Sequence, residues 1–340
     1  MKRIHLTPED LVRVRVGAPL GAFAETMLAT RVLQRPDAAL FDGWRRQVRS
    51  AMPTDFGVLA DIVPARDTFV DLITPTKGAR SLEAGIEALH LASNREICRE
   101  LACTVRHRAA DGEAPLPTWT AGLLDRRANA RASIAAAAVA FHNAAFAGRW
   151  AHVQSYLDAT AERMARAMAS EGVEGLFAML RPHARWRTPW LEIRRTPYCH
   201  DEYPGGRGLL VVPSLFASPR PVLLMSTVDS ATAPILVVPA ARDLADLAAA
   251  WGPRPANEAL VALLGRTRAA ALEAVAAGRT TSELARELGV SPATASEHAT
   301  ILRESGLIDS HRRRNAVRHE LTTLGAALLD GKVDEARRTA

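Results

Sequence analysis

Cysteine is scarce in this 340-residue chain, and three residues without paired spacing exclude a disulfide framework. No apolar run approaches the length of a membrane span, so no membrane is expected among the partners. The opening MKRIHLTPEDLVRVRV lacks the apolar segment and small-residue cleavage site of a secretory signal. The expected location is the cytoplasm. Missing too are a Gly-x-Ser-x-Gly elbow, a phosphate-cradling glycine loop and a His-Glu-x-x-His helix. With no catalytic signature, the chain is expected not to be an enzyme and to need no cofactor. Aromatics make up only 5% of the residues, and the net charge is a modest +6. Charge placement therefore carries more information than charge total. The length suffices for two or three domains and a sizeable core.

The most informative stretch is Thr280–Leu321. Thr280 with Glu283 is a capping-box pattern, which predicts a helix start. Leu284, Ala285 and Leu288 give that helix an apolar face, and Gly289 supplies the positive φ that ends it. Ser291 is a second N-cap, with Pro292 in the first helical position. On the second helix Ala295, Ala299 and Leu302 share one side, while Ala293, Glu297, Thr300 and Glu304 share the other, flanked by Thr294 and Ser296. Gly306 stops it. Two alternating segments follow, Leu307–Ser310 and Val317–Thr322, with the basic hairpin tip HRRRNA between them. Helix, turn, helix and basic hairpin predict a winged helix over 256–331. Small and polar residues on the first exposed turns suit close approach to base edges in a major groove, so Ala293, Thr294, Ser296 and Glu297 are the candidate base contacts. Ser291, Thr300, Arg303, Arg312, Arg313, Arg314 and Arg318 are the candidate contacts to the DNA backbone.

The run ELARELGVSPATASEHATILRESGLI resembles the DNA-binding core of ArsR-type winged-helix regulators, over about the last quarter of the chain. Many members of that family sense metals through a Cys-x-Cys pair on the first helix of the motif. Ser282-Glu283-Leu284-Ala285 stands there instead, so that metal site does not carry over and no metal is expected. A second resemblance covers IHLTPEDLVRVRV, EGVEGLFAMLRPHARW, GRGLLVVPSLF and PILVVPA. They are similar to the N-terminal part of bacterial regulators that carry an ArsR-like domain at the C terminus. This implies a full-length regulator whose front module has an unknown ligand.

That front module, residues 1–251, is expected to dimerise, to sense, or both. A strand at Arg3–Leu6 and a helix capped by Thr7 open it. Helices are expected at Leu20–Leu33 and Asp37–Ser50, and from Ser81 onward to about residue 185. The Pro- and Thr-rich passage Met52–Pro75 reads as loop with one turn of helix. Short apolar segments at Trp190–Arg194, Gly208–Pro213, Pro221–Met225 and Pro234–Val238 predict one small, mostly antiparallel sheet over about 186–240. Asp243–Trp251 returns to helix, Gly252–Pro255 reads as linker, and Asn257–Ala277 reads as one long helix. The fold class is α+β, mostly helical.

Other clusters weigh less. Cys103 and His107 share a helix face at i, i+4, but His90 and Cys98 point away, so ordinary packing is the preferred reading. The run Tyr198–Glu202 reads as a polar hairpin loop. Trp186, Trp190, Tyr198, Tyr203 and Phe216 gather around the sheet and are the candidate lining of a pocket for an apolar effector, with core packing as the alternative. The expected function is a homodimeric regulator, a repressor, binding double-stranded DNA at a (pseudo)palindrome and released by a small-molecule effector. The rivals are an enzyme or ligand-processing domain fused to an autoregulatory DNA-binding domain, and a scaffold without an effector.

Overall fold

The computed structural model describes residues 2–65, 68–76, 79–125, 129–193, 201–225, 231–252, 258–276, 278–313 and 316–330. The chain separates into two compact units, Met1–Gly252 and Pro253–Ala340.

The first unit opens with β1 (Lys2–His5), α1 (Pro8–Leu11) and β2 (Arg15–Val16). Thr7 caps α1 through a reciprocal box with Asp10, and Pro8 occupies the first helical turn. Then come α2 (Ala22–Leu33), α3 (Asp42–Ser50) and α4 (Phe56–Ile62). Every residue of α2 except Arg31 is buried, which makes it the central helix of the unit. The passage expected to be loop with one turn of helix holds all of α4, a 7-residue helix. Phe56, Leu59 and Ile62 recur every three residues there and turn Leu59 and Ile62 into the core. Four longer helices follow: α5 (Leu82–Leu91), α6 (Asn94–Ala110), α7 (Ala130–Phe146) and α8 (Trp150–Met179), the last kinked at Gly172.

The strands β3 (Ala184–Arg187), β4 (Trp190–Ile193), β5 (Asp201–Glu202), β6 (Leu210–Ser214), β7 (Val222–Leu224) and β8 (Ile235–Pro239) precede α9 (Leu244–Trp251). They correct the expectation of one mostly antiparallel sheet. Among the described residues there are two four-stranded sheets, ordered β3-β4-β1-β5 and β2-β6-β8-β7. Each recruits a strand from the start of the chain, and each is mixed: β1–β5, β2–β6 and β6–β8 pair in parallel. Asp201 and Glu202, expected in a loop, extend the first sheet beside β1.

Alternation along β6 and β8 then divides the interior. Val212 and Val237 face the helical core with Phe23, Phe141 and Phe146. Val211, Leu236 and Val238 face a second core with Ile4, Phe177 and Leu191. A sheet buried on both faces explains why these strands read as continuous apolar runs.

The second unit comprises α10 (Glu258–Leu264), α11 (Arg266–Val275), β9 (Arg279–Thr280), α12 (Thr281–Leu288), α13 (Pro292–Glu304), β10 (Ile308–Arg313), β11 (Ala316–Leu321) and α14 (Thr323–Asp330). The single helix expected over 257–277 is two helices. Gly265, at φ +79°, breaks the helical path between them. Leu272, Leu284, Ala295, Leu302 and Ile308 form this unit's own core.

Candidate nucleic-acid interface

The helix pair is set by its caps. The Thr280 side chain accepts from the Glu283 amide at 3.4 Å, and the Glu283 carboxylate accepts from the Thr280 amide at 2.8 Å and its hydroxyl at 2.9 Å. These donors hold the Glu283 carboxyl below its usual range. Gly289 ends α12 at φ +64°, a left-handed cap. Ser291 then restarts the chain, its Oγ accepting from the Thr294 amide at 3.1 Å.

On α13, Ala295, Ala299 and Leu302 are buried, Ala293 and Glu297 are exposed on the opposite side, and Ser296 is exposed on the flank. Thr294 is half-buried, and its hydroxyl lies 2.9 Å from that of Ser291. Thr300 is half-buried and Arg303 exposed. The exposed first turns thus present one methyl group, hydroxyls and one carboxylate, all short enough for the helix axis to come close to a groove floor.

The wing is longer than its sequence suggested. Its strands pair from Ile308↔Leu321 to Arg313↔Ala316, so His311, Arg312 and Arg313 are strand residues rather than tip. Because side chains alternate, this splits the basic residues between two faces. Arg312 shares its face with Ser310 and His319, whereas Arg318 shares the other with His311. Arg312 is exposed and makes no ion pair among the described residues. Arg318 pairs with Glu320 at 3.3 Å, and its guanidinium covers Gly278, where an added Cβ would lie 2.5 Å from it. Arg314 lies outside the described residues.

His319, which the sequence pattern did not single out, anchors the wing. It is 4% exposed, its Nε2 lies 2.9 Å from the Thr281 hydroxyl and its Nδ1 2.8 Å from the Ser310 hydroxyl. Burial, and then the charge of Arg303, lower its pKa, which keeps the ring neutral between the two hydroxyls. The signal in the sequence was alternation: His319 sits where an inward-facing residue of β11 must fall.

In the first unit the four described aromatic candidates lie in different surroundings. Trp186 packs on Phe177 in the second core. Trp190 lies on the opposite face of the same sheet, under the Arg3 guanidinium. Tyr203 stacks on His5 and is 63% exposed. Phe216 lines a cavity, from within the core of Phe41, Trp44 and Phe146. Tyr198 lies outside the described residues. Packing on opposite faces of strands separates side chains that the sequence places close together.

Cys103 Sγ lies 3.4 Å from His107 Nδ1, and Cys98 is exposed. Among the described residues no group of three His, Cys, Asp or Glu side chains could hold a metal ion. No helix among them is long and apolar enough to cross a membrane.

A family model described as a helix-turn-helix domain matches residues 263–311, from the end of α10 into β10. No curated protein and no solved structure gives a significant match to the chain. With its capped helix pair and exposed second helix, the C-terminal unit is a helix-turn-helix DNA-binding domain.

Proposed function

We propose that this chain is a sequence-specific transcriptional repressor of the ArsR-like kind, acting as a homodimer on a (pseudo)palindromic operator and released by a small non-metal effector. The observation that carries the reading is the exposed start of α13, with Ala293 and Glu297 on the side opposite its buried stripe and Ser296 exposed beside Ala293. Base contacts are assigned to these residues and Thr294. Backbone contacts are assigned to Ser291, Thr300, Arg303, Arg312, Arg313, Arg314 and Arg318, because cations and hydroxyls suit phosphate. Two such domains matching two half-sites about 34 Å apart need two-fold symmetry. The first unit supplies most of the dimer contact in this reading. Its role is sensing and assembly rather than catalysis. Cys103 and His107 do not favour an enzyme, since burial pushes the thiol pKa up, the reverse of an activated nucleophile.

Selection of bound genomic fragments, followed by footprinting and sedimentation on the best fragment, tests this. The expected result is a two-fold footprint covered by a dimer. A monomer at micromolar concentration with and without DNA, or no sequence preference, would overturn it.

A further inference from the structure

The first unit contains a cavity of about 660 Å³, a size typical of small-molecule sites. Its walls come from segments far apart in the chain. Leu28 and Arg31 line it from one face of α2, and Arg35 from the turn just beyond. Phe216, Arg220 and Val222 line it from the end of β6 to the start of β7. Leu28 and Phe216 are almost fully buried, so the floor is apolar.

The polar wall selects charge. Arg35 uses Nε and Nη2 on the two oxygens of Asp37, at 3.0 and 2.8 Å. Arg220 approaches the same carboxylate at 3.7 Å. The hydrogen bond from Arg35, and the charges of both arginines, hold Asp37 down at about 2, so this carboxylate stays ionised and fully committed. Each guanidinium carries five N–H donors, and Nη1 of Arg35 makes no hydrogen bond among the described residues. Donor capacity therefore remains on this wall of the cavity. Four acids also line the cavity, Asp71, Glu100, Asp111 and Glu202, and the first and last of them oppose an anion weakly. Asp71 is wrapped by donors from Ile73 and Thr74, and burial pushes its pKa up. Glu202 is paired with Lys2 at 2.8 Å.

We propose that this cavity is the effector site and that it takes a small organic anion with an apolar body. The carboxylate or sulfonate head lies on Arg35 and Arg220, and the body lies over Leu28, Phe216 and Val222. Only the word effector rests on the regulator reading; the binding does not.

The test uses the full chain and the naphthalene sulfonate dye ANS as reporter, with octanoate, octan-1-ol and octylamine as competitors. Octanoate should displace the dye at about tenfold lower concentration than the alcohol, the size of one charge-assisted hydrogen bond. Arg220→Glu should weaken octanoate by about tenfold and turn the preference towards octylamine, a gain that misfolding cannot imitate. If that variant melts early, Arg220→Gln should still lose octanoate affinity. Val222→Trp should exclude the dye by filling the cavity. Equal competition by alcohol and octanoate, no displacement by millimolar octanoate, or an unchanged order in Arg220→Glu would overturn the site. The best genomic fragment is then titrated with and without octanoate. Altered affinity supports the effector role, and unchanged affinity overturns it. Failure to hold any fragment at low salt would remove the regulator reading and leave the dye competition standing.

Discussion

The two units treat their ionisable groups in opposite ways. The first buries Asp10, Glu25, Arg35, Arg45, Asp71, Glu100, Arg108, Arg131 and His142, and the second, among the described residues, buries only His319. Buried charge is costly unless its hydrogen bonds are supplied, so the first unit must be stable against its own interior. The second keeps its charges in solvent, where they remain available to a polyanion. Stability should therefore respond to single polar changes in the first unit, and affinity to single polar changes in the second. All six tryptophans lie in the first unit, so their fluorescence reports that unit alone.

The largest effect is expected at Arg131. Its guanidinium donates to the carbonyls of Leu89, His90, Ala92 and Leu123 and to Asn94 Oδ1, at 2.7 to 3.4 Å. Leu89 and His90 lie in the last turn of α5, whose carbonyls have no partner further along the helix. Arg131→Met keeps the packing of the stem and orphans these acceptors. It should cost on the order of 4 kcal/mol, seen as a lower denaturant midpoint by tryptophan fluorescence. DNA affinity at low denaturant should stay within a factor of about two. A loss below about 1 kcal/mol would mean that the buried network carries little of the first unit's stability.

Glu25 and His142 test the same unit through pH. Burial raises the Glu25 pKa to about 7, against opposing donors from Ser214, Phe216 and Leu215. Burial lowers His142 to about 4, where its Nδ1 meets the Thr26 hydroxyl at 2.9 Å. Folded Glu25 stays protonated where the unfolded group ionises near 4.5, so its contribution is lost as pH rises from about 4.5 to 7. Folded His142 stays neutral where the unfolded ring protonates near 6.5, so its contribution is lost as pH falls from about 6.5 to 4. The two slopes oppose each other. Relative to the wild type, Glu25→Gln should gain about 1.4 kcal/mol per pH unit as pH rises through the first window. His142→Gln should gain by a similar amount as pH falls through the second. Parallel pH curves for wild type and Glu25→Gln would show that Glu25 ionises normally in the fold.

Legibility in the sequence divides along the same line. The caps at Thr280, Ser291 and Gly289 were readable because each is satisfied within four residues, and the burial of Ala295, Ala299 and Leu302 followed from helical spacing alone. The buried helix α2 and the cap at Thr7 were readable for the same reason. Sheet order was not. β2 pairs with β6 across nearly two hundred residues (Arg15↔Leu210), and nothing local in either strand records its partner or direction. The aromatic candidates are near one another in sequence, yet Trp186 and Trp190 occupy opposite faces of one sheet. The cavity that exists was invisible because Arg35 and Arg220 meet only through Asp37.

In the second unit the expected changes are in affinity. Glu297 is exposed on α13, where phosphate repels a carboxylate and a cytosine amino group welcomes one. Glu297→Ala should lose roughly 1–3 kcal/mol at the preferred site, as for one lost base readout, and should hold or gain affinity for scrambled DNA. Titrations on both fragments measure it. Equal losses on the two would assign Glu297 to folding or to assembly instead of readout.

The smallest effect separates two arginines of one wing. Arg312 is exposed without an ion pair among the described residues, on the face that carries Ser310 and His319. Arg318 is on the other face, is shared with Glu320 and is laid over Gly278. A phosphate contact through Arg312 would release a counterion with little prior cost, so Arg312→Ala should weaken all sequences alike and lower the salt slope by about 0.9 per protomer. Arg318→Ala should lower it by less, because Glu320 already offsets part of that charge and must be left behind. Glu320→Gln provides the control: by releasing Arg318 it should steepen the slope, and adding Arg318→Ala should cancel the gain. Equal slopes for the two arginine variants would mean that both faces of the wing meet the backbone. In that case the alternation that divides Arg312 from Arg318 does not govern how the wing contacts DNA.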